Sequence, residues 1–222
     1  MSNRTLVIAP HPDDEILGCG GTLLRRKAEG AELAWLIVTG ISEQAGWLPE
    51  KVHQRDAEIA KVTDLVGFKH VYNLRLPTTQ LDTLPTGKLI DLFSSVFKDF
   101  QPEEVLAPNR SDVHTDHRLV FDAVAACTKW FRYPSVRRVL AYETLSETEF
   151  GLDADCAFHA NCFVDISNYL EGKLKVMAVY QSEMGVFPFP RSIEAIRALA
   201  TLRGATSGFK AAEAFQLLRE RQ

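Results

Sequence analysis

The sequence predicts an α/β protein whose mainly parallel sheet is covered by helices on both faces. Two observations carry this prediction. Short apolar runs rich in β-branched residues, which are typical of buried strands, recur along residues 1–142. Helix-length stretches with apolar side chains at helical spacing separate these runs, and strands that alternate with helices form parallel sheets.

The first strand–helix–strand unit shows the pattern most clearly. Residues 5–9 form a brief apolar run that ends at Pro10, and residues 33–39 form a second run of the same kind. Between them, residues 15–29 carry apolar side chains at helical spacing, and Gly30 marks the end of the helix. We therefore expect two parallel strands joined by a helix.

The same alternation continues to residue 142 and then changes. The sequence predicts helices at 51–66, 88–100 and 116–131, with strands at 70–74, 104–107 and 137–142. Beyond residue 151 it predicts one strand at 159–165 and three helices at 167–181, 192–202 and 208–219. No linker or repeat interrupts the chain. We therefore expect a single domain of residues 1–222 whose last third, about 151–222, completes the substrate pocket.

Composition excludes several classes of protein. Of the 222 residues 46% are hydrophobic, and the net charge of −4 comes from interspersed acids and bases, so nucleic acid is not an expected partner. No apolar run is long enough for a transmembrane segment and the polar start is not a signal peptide, so we expect a cytoplasmic protein. Four cysteines without C-x-x-C spacing are expected to be thiols that fill the core: Cys19, Cys127, Cys156 and Cys162.

A dense group of polar side chains follows the first strand. Residues 10–15 place His11 beside the carboxylates of Asp13, Asp14 and Glu15. In an open parallel sheet, ligands bind beyond the carboxyl ends of the strands, where this segment lies. Crowded carboxylates would repel one another there without a compensating cation or hydrogen bonds, so the segment predicts a divalent metal site. Taken alone, it also fits a loop whose aspartates cap the next helix.

A second polar group follows the fourth strand and opens a helix. It spans residues 111–117 and contains His114, Asp116 and His117. Both groups should lie at the same edge of the sheet. There, two histidines and one carboxylate can bind a metal and leave a position for water, as in catalytic zinc sites. The two histidines alone would fit exposed or helix-capping residues better, but the joint pattern favours the metal site.

The two segments His11-Pro-Asp-Asp-Glu15 and His114-Thr-Asp-His117 together resemble the signature of the LmbE-like, or PIG-L, family of zinc-dependent de-N-acetylases. The resemblance covers residues 1–145 and implies a Rossmann-like fold. It also implies one divalent metal, Zn²⁺ with Fe²⁺ as the alternative, and assembly into a homo-oligomer. The implied activity removes an acyl group, expected to be acetyl, from the nitrogen of a small-molecule amino sugar or a glycoconjugate.

The resemblance also implies a role for each polar residue of the two segments. The implied metal ligands are His11, Asp14 and His117. Asp13 is implied as the general base that activates a metal-bound water. A cationic His114 would hold the oxyanion and protonate the departing amine, and Asp116 would orient one of the two histidines.

Further residues are candidates for contact with the substrate: Glu15, Glu43, Arg55, Asn109, Arg110 and Arg203. For Glu15 the alternative is a position behind the metal ligands, without contact to the substrate. Arg203 is included because residues 203–208 loosely resemble the family. Arg55 fits equally well a surface ion pair with Glu58, three residues further along a helix. Asn109 and Arg110 also fit a solvated loop.

Two other regions leave their roles open. Many relatives carry a substrate-binding aspartate after the third strand, where this chain has Thr78, Thr79 and Gln80. That departure predicts either a different substrate or a polar turn without function. The aromatic side chains that fit ordinary packing better than a pocket rim are Trp47, Phe187 and Phe189.

Two rival functions fit the same residues. One is a different metal-assisted hydrolysis, such as that of a phosphate ester, and the other is a non-catalytic metal- or sugar-binding module. Intact Asp13 and His114 argue against the module, because binding needs neither a base nor an acid. Gly18, Gly20 and Gly21 lack the spacing of a dinucleotide-binding loop, so we expect them to allow close packing of helix and sheet.

Overall fold

The computed structural model describes residues 4–222, and these form a seven-stranded sheet with helices on both faces. The strands are β1 (Arg4–Ala9), β2 (Glu32–Gly40), β3 (His70–Pro77), β4 (Glu104–Pro108), β5 (Arg138–Tyr142), β6 (Cys162–Asp165) and β7 (Ala212–Glu220). The helices of the same part of the chain are α1 (Asp14–Ala28), α2 (Pro49–Val66), α3 (Thr86–Phe100), α4 (Thr115–Ala126), α5 (Leu170–Met177) and α6 (Ile193–Ser207). Short 3-10 helices lie at Glu43–Ala45, Leu81–Thr83, Thr148–Phe150 and Ala154–Cys156.

The strand order explains why the two polar segments meet. The order is β3-β2-β1-β4-β5-β7-β6, in which β1 to β5 are parallel and β7 runs antiparallel to both β5 and β6. The chain winds outward from β1 to β3 and then crosses back to β4 on the other side of β1. Ligands bind at such a reversal, beyond the carboxyl ends of the two neighbouring strands. Residues 10–15 follow β1 and residues 109–117 follow β4.

Alternate side chains of β1 enter two separate cores. Leu6 and Ile8 pack with the apolar faces of α3 and α4, whereas Val7 and Ala9 pack with α1, α2, α5 and α6. All four side chains are fully buried. The strand that leads into the first polar segment is therefore fixed from both faces of the sheet.

Glycines bring α1 close to the sheet, as the sequence predicts. A Cβ atom on Gly18 would lie 2.3 Å from Cδ2 of Tyr142 on β5, and one on Gly21 would lie 2.7 Å from Cγ2 of Ile166. Any larger residue at either position would force α1 away from its neighbours.

The helix predicted at residues 208–219 is wrong, because most of this stretch belongs to β7. Its alanine, glutamate, glutamine, leucine and arginine residues favour a helix by intrinsic propensity. The backbone instead pairs with β5 on one side and β6 on the other, and this pairing outweighs the propensity. The antiparallel strand leaves the sheet mainly parallel.

Several predicted helices and strands have different bounds in the structure, among them the strand predicted at 70–74, which extends to Pro77. The helix predicted at 116–131 ends at Ala126, and the one predicted at 167–181 is limited to Leu170–Met177. The helix predicted at 192–202 extends to Ser207, where Gly208 ends it in a left-handed conformation with φ of 81°. The strand predicted at 159–165 begins only at Cys162.

The cysteines and the membrane prediction have simple outcomes. Cys19 and Cys127 are buried thiols, as expected, but Cys156 is exposed and Cys162 is half-buried. None of the helices within residues 4–222 has the length and apolar character that a bilayer crossing requires.

Candidate active site

Three metal-ligating atoms converge at the reversal between β1 and β4. Oδ2 of Asp14 lies 3.3 Å from Nδ1 of His11 and 3.3 Å from Nε2 of His117. The three side chains offer ligand atoms within 4.8 Å of one another. Two neighbouring strands thus bring together the three residues that the resemblance implies as ligands.

Each of the two histidines has a carboxylate on its other ring nitrogen. Nδ1 of His117 donates to Oδ2 of Asp112 at 2.8 Å, and Nε2 of His11 donates to Oδ2 of Asp116 at 3.3 Å. An ionised carboxylate only accepts hydrogen bonds, so in the neutral form of each ring the lone pair lies on the nitrogen that faces Asp14. Carboxylate–histidine pairs of this kind orient metal ligands in proteins.

The donor set fits a divalent metal. Nε2 of His117 is fully buried and faces Asp14, yet it has no hydrogen-bond partner within the described residues. A buried polar atom without a partner is costly, and a cation between His11, Asp14 and His117 would satisfy it. A second group, His11 with His114 and Asp116, also has its ligand atoms within 4.8 Å of one another. Its members already bond one another, so the first group is the better metal site.

The electrostatics of the cluster favour positive charge. Burial alone would lower the pKa of His117 and raise that of Asp14, but their mutual attraction reverses both effects. The pKa of His117 is therefore raised well above its usual value and that of Asp14 is held well below it. A site that attracts protons in this way also attracts metal cations.

Asp13 lies beside His11 and Asp14 at the start of α1. It occupies the position before α1, yet its side chain makes no capping hydrogen bond to the helix, so the capping alternative does not hold for this residue. Its carboxylate is 4% exposed, and Oδ2 lies 3.5 Å from Nη1 of Arg191. Burial, together with repulsion from Asp14 and Glu183, raises the pKa of Asp13 to about 8.

His114 is both a helix cap and a cavity residue. Nδ1 accepts a hydrogen bond from the Asp116 amide at 3.1 Å, which caps α4. Burial and the neighbouring His11 lower the pKa of His114, which disfavours the cationic form that the resemblance implies. Because Nδ1 accepts, the neutral ring carries its proton on Nε2 and remains a hydrogen-bond donor.

A cavity of about 500 Å³ opens over this cluster. His11, Asp13, Asp14 and His114 line its floor. Its walls come from the segment after β2, from α2, from the segment after β3 and from the last third of the chain, the last of these through Ser182, Glu183 and Arg191. The volume falls within the range of cavities that bind small molecules.

Comparison with known proteins identifies the family. A family model described as PIG-L: GlcNAc-PI de-N-acetylase matches residues 6–128, which include both ligand segments and more than half of the chain. The chain belongs to the PIG-L, or LmbE-like, family.

Three relatives extend the PIG-L match to most of the chain. Diacetylchitobiose deacetylase of Thermococcus kodakarensis is 25% identical over 97% of this chain and 83% of its own length. The 2'-N-acetylparomamine deacetylase of Streptomyces fradiae is 25% identical over 81% of this chain and 73% of its own length. The crystal structure of a conserved protein of Thermus thermophilus superposes with a TM-score of 0.80 at 27% identity, covering 100% of this chain and 97% of that one.

The six candidates for substrate contact all lie within the part of the chain that the structure describes. Of these six, Arg55 is the one that lines the cavity. It also forms the ion pair with Glu58 that the sequence allows, with Nε lying 3.2 Å from Oε2. Its Nη1 donates to the Pro12 carbonyl at 2.8 Å, and its Nη2 donates to Glu183. The ion pair with Glu58 is therefore present, and a substrate contact of Arg55 stays a prediction.

Two predicted substrate contacts are buried beneath the PIG-L site instead. Glu15 is fully buried, and its carboxylate accepts hydrogen bonds from the Asp13 amide and the Tyr180 hydroxyl. Asn109 is 3% exposed, and its amide donates to Ser111 and Asp112. Glu15 therefore takes the position behind the ligands that the sequence also allows. The substrate contact predicted for Asn109 is corrected, because its amide meets protein groups outside the cavity.

Three other predicted contacts lie outside the cavity. Glu43 is exposed on the 3-10 helix Glu43–Ala45, and Arg110 is exposed and pairs with Asp122 at 2.9 Å. Arg203 lies within α6, where its Nε and Nη2 both donate to the carboxylate of Glu143. Each of these side chains is directed to solvent or already paired, so the structure corrects all three predictions.

Several residues in or behind the cavity were missed or interpreted differently in the sequence analysis. Glu183 and Arg191 lie in the last third of the chain, where the resemblance is loose and no motif marks them. Asp112 lies within the second segment, but its hydrogen bond to His117 spans only five residues and needs the backbone geometry to be recognised. Trp47 lines the cavity at 46% exposure, whereas packing was the preferred interpretation.

The segment after β3 contributes to the site through a backbone amide. Thr78 and Thr79 line the cavity, and the Thr79 amide donates to Oδ2 of Asp116 at 2.8 Å. Thr79 has φ of 61°, a conformation that non-glycine residues rarely adopt. The segment therefore helps to fix Asp116 against His11, whereas Gln80 does not line the cavity.

Proposed function

We propose that this protein is a metal-dependent deacetylase that hydrolyses the N-acetyl group of an amino sugar or a glycoconjugate. The observation that carries the proposal is the convergence of His11, Asp14 and His117 beside an uncapped, cavity-lining Asp13. This arrangement of four side chains occurs in a member of a de-N-acetylase family, and the chain's relatives include deacetylases of amino sugars.

His11, Asp14 and His117 would hold one divalent metal, with Zn²⁺ as the proposed ion and Fe²⁺ as the alternative. When bound, the metal would supply Lewis acidity and lower the pKa of water at this position toward neutrality. Asp112 and Asp116 support the metal by holding the two imidazole rings in the orientation and tautomer that binding requires.

Asp13 would act as the general base. Its carboxylate faces the cavity next to the proposed ligands and is free of any capping bond, so in its ionised form it can accept the proton of an attacking water. His114 lies on the same floor, with its ring 4.4 Å from that of His11. In its neutral form the Nε2–H group can donate to the amide oxygen as negative charge develops there. The departing amine also needs a proton, and we assign its delivery to Asp13, which holds the proton of the attacking water. His114 is less suited to that step than the resemblance implies, because its Nδ1 already accepts from the Asp116 amide.

The cavity suits a sugar better than a phosphate ester. Two of its three arginine and lysine side chains within the described residues, Arg55 and Arg191, pair with Glu183, and Arg191 also pairs with Asp13, so most of the charge that a phosphate needs is already neutralised. The third is Lys51. Trp47 presents an exposed ring at the cavity wall, against which the apolar face of a pyranose can stack.

The cytoplasmic location, the single domain and the homo-oligomer stay predictions.

The test is amine release from a panel of N-acetylated amino sugars by the purified protein and two variants. Asp13→Asn should retain the metal but lose about 100- to 10,000-fold in kcat, because it removes the general base. His117→Ala should lose the metal together with the activity. Phosphate release in place of amine release, or full activity of Asp13→Asn, would contradict the proposal, and Glu43→Gln on the nearby exposed loop is the matched control.

A further inference from the structure

The backbone of Asp13 adopts a conformation that its surroundings must impose. Its φ is 139° and its ψ is −30°, which a non-glycine residue rarely adopts. Such a conformation costs free energy and persists only where neighbouring groups determine it, and it occurs most often at functional sites. The conformation sets the direction in which the Asp13 carboxylate leaves the main chain.

Side chains bond both polar atoms of the peptide group that precedes Asp13. The Pro12 carbonyl accepts from Nη1 of Arg55 at 2.8 Å. The Asp13 amide donates to Oε2 of Glu15 at 3.0 Å. One peptide plane is therefore held from both sides, by a residue of α2 and by a residue in the first turn of α1.

Tyr180 contacts both side chains that hold this peptide group, Glu15 and Arg55. Its hydroxyl donates to Oε1 of Glu15 at 2.7 Å, and the guanidinium of Arg55 lies over its ring at 5.7 Å from the centroid. Glu15 and Tyr180 are both fully buried, and neither lines the cavity. They touch the Asp13 backbone and its supports without reaching the position of a substrate.

We propose that Glu15 and Tyr180 are positioning residues that hold the Pro12–Asp13 peptide in its unfavourable conformation and so direct the Asp13 carboxylate at the reacting water. The inference rests on the proposed role of Asp13 as the base. It gives functions to a buried carboxylate and a buried tyrosine that the chemistry itself does not use.

The variant Glu15→Met removes the hydrogen-bond acceptor and keeps the length of the side chain. Its kcat should fall about 10- to 100-fold, as expected when a supporting residue lets a catalytic group shift, while KM and bound metal stay at wild-type values. Glu15→Gln keeps a carbonyl acceptor for the Asp13 amide and should restore most of kcat. Tyr180→Phe should give a smaller fall of about 3- to 10-fold, since it removes one hydrogen bond.

Two controls separate positioning from general stability. Tyr142→Phe removes the hydroxyl of another fully buried tyrosine, which donates to the Ile8 carbonyl at 2.7 Å, and should leave kcat unchanged. On an Asp13→Asn background the loss caused by Glu15→Met should disappear, because residues that act through one another are not additive. A loss of the same size on both backgrounds would overturn the proposal.

Amide hydrogen exchange gives a measurement that does not depend on activity. In Glu15→Met the Asp13 amide should exchange faster than in the wild type, and in Glu15→Gln it should stay protected. If Glu15→Met does not fold, Tyr180→Phe carries the test, and wild-type kcat in that variant would overturn the proposal. Full turnover by Asp13→Asn alone would refute the base assignment, whereas the exchange result would still report whether Glu15 holds the peptide.

Discussion

At the scale of single residues, the site depends on carboxylates that orient histidines. Asp112 is the clearest case, because it is buried and accepts from His117 through one oxygen and from Asn109 and Thr148 through the other. These bonds fix the carboxylate before any metal binds. The ring of His117 is thereby held with its free nitrogen directed at Asp14.

Asp112→Ala should weaken metal binding about 10- to 100-fold, because the His117 ring loses its orienting partner. Competition with a chelator of known affinity measures the change. Asp122→Ala is the control. It removes an exposed carboxylate of α4, the helix that carries His117, and should leave metal binding normal, since Asp122 pairs only with Arg110 among the contacts described. Equal metal affinity in the two variants would contradict the orienting role of Asp112.

The site residues that the sequence brings together are those with a local signature. His11, Asp14 and His117 lie in two compact motifs, each placed after a strand, and the structure shows the convergence that this placement predicts. Their role as ligands comes from the family resemblance. Glu183 and Arg191 reach the site from the last third of the chain, and their role depends on tertiary packing that no local pattern encodes. The sequence leaves two positions open for Glu15 for a related reason, because sequence position gives the segment but not the direction of each side chain.

At the scale of elements, the close approach of α1 to the sheet positions the first ligand segment. Gly18 faces the ring of Tyr142, which lies on β5 and is itself fully buried. The turn that carries Asp13 and Asp14 begins this helix. A shift of α1 would therefore displace the base and one ligand together.

Gly18→Ala should destabilise the protein by about 1–3 kcal/mol, because the added methyl group would lie 2.3 Å from Tyr142 in a packed core. Gly87→Ala is the matched control, since a Cβ there meets nothing within 4 Å and alanine favours a helix. Denaturant unfolding of both variants measures the difference. Equal stability would show that α1 can move away from β5 at little cost.

Element prediction succeeds where local and tertiary preferences agree. The strands and helices of the first 142 residues follow the predicted order, because their apolar periodicity matches the faces that they bury. The stretch that forms β7 has the composition of a helix, and only its place between β5 and β6 makes it a strand. That information lies in residues far away along the chain.

At the scale of the whole molecule, buried polar contacts attach the last third of the chain to the first. The carboxylate of Glu213 on β7 accepts from the amides of Gly21 and Thr22 in α1. Lys173 on α5 pairs with it at 2.7 Å and also donates to the Leu17 carbonyl. The segment that supplies Glu183 and Arg191 follows α5, so this network helps to set the far wall of the cavity.

Lys173→Met should destabilise the protein by about 3–5 kcal/mol, because it leaves the buried carboxylate of Glu213 without its cation. Thermal and denaturant unfolding measure the loss. Arg197→Met breaks an exposed ion pair with Glu171 and should change stability little. Similar stability of the two variants would contradict the buried pair as the attachment between α5, α1 and β7.

The most direct test of the central claim is a metal titration with both products counted. Protein freed of metal receives increasing amounts of Zn²⁺, and acetate and free amine released from an N-acetylated amino sugar are measured at each step. The account predicts activity that rises to a maximum at about one equivalent, with equal amounts of acetate and amine, as a single three-residue site requires. Acetate release by the metal-free protein, or metal binding that His117→Ala leaves intact, would contradict it.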